Sequence, residues 1–448
     1  MRSASRGRRV HPVKRHAFLL VALLAVGLGD VGPAVAALPV TQAAAPESYW
    51  KEVPGGPGTM CGTGGRFSFW VHGENPRHFL ILLGAGGGCW NPATCGGGRP
   101  TTDFTSDLSD FPARTGILAA RADNPLRGYS VILIPYCTGD VHLGTREVTY
   151  GHDSTGTGGL SFVIHHNGRN NARAALKWAF RMVKDPAVIV VAGVGAGAIA
   201  SPMVAELVAE HYPNTRVVQL GNGTGGFRAA AIPGILENWG VPTAMRESGA
   251  YQDLDSTQVT FETLYTAFRH PAPNLHLAQI NSASDSTQLR FLSQMGVTGM
   301  PLEVLMRKNL DDIRAARPEF RSYVLPGKLH TVLLSAGFYA TYVDTVRLRD
   351  WVANLVEGKS VHDVGSRFLD VPEPVLATPV DSLHAGIDSL HVGAAPVDSV
   401  HFGHAAPTDS LHAGPAAPHT AVADSLHAPA DSLAAPQPHH APQDPAHR

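Results

Sequence analysis

The sequence predicts an α/β domain built on a mostly parallel central sheet flanked by helices. Three observations predict it. Short aliphatic runs of strand length, with too few polar residues for a face turned to water, alternate with segments of helical period. A hydrophobic share of 44% across 448 residues supplies enough apolar side chain for a large core. Two of the aliphatic runs, around 79–83 and 187–192, end in glycine-rich turns, and the second turn opens directly into a helical pattern.

Taken in order, the strands are expected at 67–71, 79–83, 130–135, 187–192, 216–219, 275–279 and 321–325. The helices are expected at 171–183, 198–211, 302–315 and 346–355. One domain over 37–365 accommodates them.

The two ends read differently from this middle. A basic start (Arg2, Arg6, Arg8, Arg9, Lys14, Arg15) runs into an apolar stretch at 17–29 and then Ala34-Val35-Ala36, the pattern of an export signal cleaved near Ala36. The apolar run falls short of the roughly 20 residues that a membrane-spanning helix needs. Cleavage implies a secreted or periplasmic protein. Removing 1–36 takes away six basic residues and one acidic residue, leaving 29 and 36, a formal charge of −7. A mildly acidic chain without a basic stripe argues against nucleic acid as a partner.

From 366 the aromatics and aliphatics give way to Pro, Ala, His and Ser, and the unit D-S-L-H or D-S-V-H recurs at 381–384, 388–391, 398–401, 409–412 and 424–427, with a truncated copy at 431–433. Irregular spacing excludes a stacked solenoid, and the composition of 366–448 predicts a disordered tail. Ten of the 23 histidines lie there, so weak metal capture is chemically open to it, beside the simpler reading of a solvated tail.

Four cysteines (Cys61, Cys89, Cys95, Cys137) in an exported chain form an even set and predict two disulfides, with three pairings possible. Cys89 and Cys95 are close enough to staple one loop, which would leave Cys61 to meet Cys137. The rival, a zinc site, lacks the tight ligand spacing of zinc knuckles.

The run Val188-Ile189-Val190-Val191-Ala192-Gly193-Val194-Gly195-Ala196-Gly197 is a strand entering a tight turn before a helix. Gly193, Gly195 and Ala198 fit a dinucleotide fingerprint, but the following strand ends Leu220-Gly221-Asn222 without the acidic residue that holds a ribose, so no cofactor is expected. Gly193 and Gly197 also frame the nucleophile elbow G-x-S-x-G, with Gly195 at the serine position. A second loop, Gly84-Ala85-Gly86-Gly87-Gly88-Cys89-Trp90, can turn bare amides toward an oxyanion, and Trp90 can wall a substrate pocket.

Five blocks in order resemble the pectin acetylesterase family of α/β-hydrolases: the glycine loop with Cys89-Trp90-Asn91 and Cys95; Ile134-Pro135-Tyr136-Cys137-Thr138-Gly139-Asp140-Val141; the elbow; Ser284-Asp285-Ser286-Thr287-Gln288; and His330-Thr331 with Phe338-Tyr339. The resemblance covers about 61–364. It implies an α/β-hydrolase-like fold and a triad of residue 195 as nucleophile position, Asp285 as orienting acid and His330 as base. It also implies an oxyanion hole from the amides of Gly86, Gly87 and Ala196, and disulfides Cys89–Cys95 and Cys61–Cys137. His165-His166 and Asn170-Asn171 are read as structural.

Glycine has no atom with which to attack an ester. Ser201, six residues along, lies more than a helical turn away, and Asn222 stands where the family has an Asp-containing turn. The expected function is therefore an exported carboxylic ester hydrolase scaffold that binds an acylated saccharide or lipid-modified ligand with little or no turnover. The alternative is a weak carboxylesterase or deacetylase in which His330 activates water.

Overall fold

The computed structural model describes residues 50–372, apart from 74, 97–114, 152–160, 248 and 269–271. The export signal read at 1–36 lies outside the described residues, as does the tail from 373 onward.

Eight strands form one sheet: β1 (Lys51–Pro54), β2 (Ser68–His72), β3 (His78–Leu83), β4 (Ser130–Ile134), β5 (Val188–Val194), β6 (Arg216–Asn222), β7 (Leu275–Ser282) and β8 (Arg321–Leu325). Their spatial order is β1-β2-β4-β3-β5-β6-β7-β8. The first two pairings are antiparallel and all later ones parallel. This is the α/β-hydrolase-like arrangement, and it places the chain reversal between β3 and β5 at the sheet centre.

The central strands carry no polar alternation because both faces are covered. In β3 and β5, Ile81, Leu83, Ile189 and Val191 enter one core cluster, while Leu80, Leu82, Val190 and Ala192 enter the other. The first cluster is closed by helices α1 (Gly168–Met182), α2 (Ala196–His211) and α4 (Leu302–Ala316); the second by α5 (Leu348–Val356). A further helix, α3 (Ser286–Gln294), follows β7. Helix α2 is buried along most of its length, which explains its Ala- and Val-rich sequence without a polar stripe.

All seven strands and four helices expected from sequence are present, most extended by one to three residues. The edge strand β1 and the hairpin Arg146–Tyr150 with Phe162–His166 carried too mixed a pattern to be read in advance. Packing also runs a little beyond 365: the turn Ser366–Leu369 buries Leu369 against the core. Both disulfides, Cys61–Cys137 and Cys89–Cys95, are formed.

Candidate active site

Parallel strands gather their C-terminal ends on one edge of the sheet, where open α/β folds bind ligands. The loops after β3, β5, β6, β7 and β8 meet there and build the site.

Gly195 follows β5 and caps α2 with φ 52° and ψ −116°, a conformation that L side chains adopt only under strain. Its amide donates to the Asn222 carbonyl at 2.9 Å, and its carbonyl accepts from the Ala198 amide at 3.0 Å. A Cβ on residue 195 would lie 3.0 Å from His330 Nε2 and 3.3 Å from Ala85 Cβ. The His330 ring therefore faces the spot where a side chain at 195 would begin.

His330 sits on the loop after β8, and its Nδ1 donates to Asp285 Oδ2 at 2.8 Å. Asp285, fully buried, caps α3: its Oδ1 accepts from the amides of Thr287 at 2.8 Å and Gln288 at 3.1 Å. Gln288 Nε2 donates to Asp285 Oδ2 at 3.0 Å, and Gln288 Oε1 accepts from the Gly226 amide at 2.8 Å. A carboxylate with this many donors holds its histidine in one tautomer, Nδ1 protonated and Nε2 bare. Gly195, Asp285 and His330, far apart in sequence, are thus brought side by side, with His330 between the other two.

The loops around His330 are tied by Asn222. Its Oδ1 accepts from the amides of Val332 at 2.7 Å and Leu333 at 3.0 Å, and its Nδ2 donates to the Ile280 carbonyl at 2.9 Å. In sequence it read as a lost charge; in the fold it is a clamp whose amide group supplies both a donor and acceptors, which a carboxylate would not. Ser201 is engaged elsewhere, donating to the Ala198 carbonyl at 2.8 Å and accepting from Gln219 at 2.7 Å.

On the opposite side the glycine loop is held by the segment after β4. The Gly84 amide donates to the Ile134 carbonyl at 3.0 Å, His142 Nε2 donates to the Gly84 carbonyl at 3.0 Å, and the Cys89 amide donates to the Gly139 carbonyl at 2.9 Å. Val141 and His142 take φ of 51° and 64°, strain that is held by hydrogen bonds to the Tyr136 hydroxyl and to Asp140. Asp140, fully buried, accepts from Thr138 and from the amides of His142, Gly144 and Gly168. Burial pushes its carboxyl up to about 6 against the pull of these donors. Burial also lowers His142 to about 4, and His166, between Tyr150 and the Thr138 carbonyl, to about 4.

Gly86, Gly87 and Ala196 all line one cavity of about 250 Å³ together with Gly195 and His330. Its walls are mostly apolar: Trp90, Ile199, Phe227, Trp239, Phe261 and Phe291. Trp90 was legible as a wall; the others come from helix and loop positions that carried no motif. Trp239 is fixed by its indole N–H donating to the Cys89 carbonyl at 2.9 Å. Arg290 also lines the cavity, its guanidinium 5.0 Å from the Phe291 ring centre.

Among the described residues, the Cys89 and Cys95 sulfurs lie within 4.8 Å of a His166 nitrogen. The sulfurs are bonded to each other and both His166 nitrogens are hydrogen-bonded, so this group offers an ion no open ligand set. His165 pairs with Glu147 at 2.9 Å, and Asn171 bonds the Met60 backbone. No helix among the described residues is long and apolar enough to cross a membrane.

No known family model matches the chain, and no curated protein does. Among solved structures, the chain is similar to the Wnt deacylase Notum from Drosophila, at 16% identity over 69% of this chain and 93% of that one, with a TM-score of 0.47. A likeness of that size transfers neither activity nor ligand.

Proposed function

We propose that this chain is an exported protein on an ester hydrolase scaffold that holds the acyl group of an acylated saccharide or lipid-modified ligand beside residue 195, with little or no turnover. The observation that carries the reading is the placement of Gly195: the base nitrogen of the His330–Asp285 pair faces a residue with no side chain. The surrounding apolar cavity suits an acyl group, and the amides of Gly86, Gly87 and Ala196 suit its carbonyl oxygen. Without a nucleophile, such an arrangement retains roughly 10³-fold acceleration over water at most, far below a working triad.

The intact His330–Asp285 pair favours a second reading, slow hydrolysis by water that His330 deprotonates. Two measurements separate them. Tryptophan fluorescence, reporting from Trp90 and Trp239, is expected to respond saturably to methyl octanoate. Hydrolysis of p-nitrophenyl acetate and butyrate by the native protein is expected to be unchanged by His330→Ala. A native activity that disappears in His330→Ala overturns the first reading in favour of the second, and absence of any ester response removes the ligand class.

A further inference from the structure

We infer that the site takes a free aliphatic carboxylic acid in preference to its ester, with the carboxylate seated where a side chain at residue 195 would stand. This rests on the reading above that the cavity accepts an acyl group, and it adds which acyl compound satisfies the site's charges.

The argument starts from His330 Nε2. Because Nδ1 is committed to Asp285, Nε2 carries a lone pair directed at the space over Gly195. An ester presents only acceptors to that lone pair, so one of the two polar groups facing each other stays unsatisfied. A carboxylic acid resolves the mismatch. Its O–H bond breaks with the electron pair left on oxygen, the proton passes to Nε2, and a carboxylate and an imidazolium remain; when the ligand arrives as carboxylate, Nε2 takes the proton from water and the hydroxide released is neutralised by the buffer acid. No bond to carbon changes. The imidazolium is backed by the buried Asp285 carboxylate at 2.8 Å, so the added charge lies between two acceptors.

The rest of the site agrees. The carboxylate would lie at the N-terminus of the 16-residue helix α2, where partial positive charge favours an anion, and beside the glycine loop. A serine at 195 would fill this spot: its Cβ alone would stand 3.0 Å from Nε2. Beyond the carboxylate the cavity offers Trp90, Ile199, Phe227, Trp239 and Phe261, a lining for hydrocarbon. Arg290 is the competing cation, but it is exposed and stacked on Phe291.

Calorimetric titration of the full chain with octanoate, methyl octanoate and octanol tests the inference. Octanoate is expected to bind at least about tenfold more tightly than the ester or the alcohol, with affinity rising about fourfold for each methylene between butyrate and octanoate. His330→Ala is expected to erase the preference, and Gly195→Ser to weaken octanoate about tenfold while the octanol response persists. Circular dichroism checks that both variants are folded. If methyl octanoate binds and octanoate binds no better, the free-acid inference fails while the acyl-pocket reading stands. If none of the three binds, both fail. A preference lost in Arg290→Ala but kept in His330→Ala places the carboxylate on Arg290 and overturns the inference.

Discussion

Substituting Gly195→Ser asks the scaffold to become an esterase. The new Cβ would stand 3.0 Å from His330 Nε2 and 3.3 Å from Ala85 Cβ, distances that require a few tenths of an ångström of movement. The His330 side chain is 26% exposed and can yield that much. The strain of φ 52° on a non-glycine residue costs about 1–3 kcal/mol, so a fall in melting temperature of about 2–4 °C per kcal/mol is expected. Against that cost, the hydroxyl gains His330 Nε2 within hydrogen-bond reach and opens into the cavity that Gly86, Gly87 and Ala196 also line. Loss of the serine from a working triad costs about 10⁶ in kcat. A scaffold without its other refinements should recover part of this, at least about a hundredfold in kcat/KM for p-nitrophenyl butyrate over the native chain. The gain should vanish in the double variant Gly195→Ser/His330→Ala. A folded Gly195→Ser protein with no His330-dependent rise would refute the assignment of residue 195 to the nucleophile position.

Three further outcomes are expected. Asn222→Ala orphans the buried amides of Val332 and Leu333 and should cost about 2–4 kcal/mol in urea unfolding; a change below about 1 kcal/mol would mean the clamp does not hold the His330 loop. Gly223 has φ 93°, and a Cβ there would lie 2.5 Å from the His330 carbonyl oxygen, so Gly223→Ala should lower stability by about 1–3 kcal/mol and abolish the fluorescence response to ligand; a native response rules out the coupling. Four buried groups pull stability in opposite directions on acidification. His142 and His166, lowered to about 4 by burial, bind protons less readily than the unfolded chain at about 6.5, so each loses about 2 kcal/mol of stabilisation between pH 7 and pH 5. Asp140, raised to about 6, and Glu206, raised to about 7, both by burial, act in the opposite sense, since their folded forms take up a proton first, and offset about 1 and about 2 kcal/mol over the same interval. Urea unfolding of the native chain is therefore expected to differ little between the two pH values, while His166→Gln, which removes one of the histidine losses, should gain about 2 kcal/mol relative to the native chain on going from pH 7 to pH 5; a difference from native that is the same at both pH values would contradict the assignment.

Much of the architecture was legible along the chain because its determinants are local. Aliphatic runs such as 188–192 and 79–83 must be covered on both faces, helical periods such as 302–315 must lie on a sheet, and a glycine-framed turn between strand and helix must be sharp. That residue 195 is a glycine, with no side chain to react, is likewise a fact of sequence. The hairpin at Arg146–Tyr150 and Phe162–His166 was not legible, since its residues are chosen for contacts with Trp239 and Thr138 rather than for a clean alternation.

What surrounds Gly195 is set by contacts between residues far apart in the chain. Asn222 looked like a charge lost from a turn, and its role appeared once Val332, Leu333 and Ile280 were seen to converge on one amide group. Phe227, Trp239 and Phe261 lie in the long excursion between β6 and β7, where no periodicity or motif marks them, yet they make the cavity. The layered α/β sheet and the lack of a side chain at residue 195 follow from the chain alone, because near neighbours and single residues decide those. The cavity's shape and the direction in which His330 points depend on residues distant in the chain, and folding alone brings them within reach.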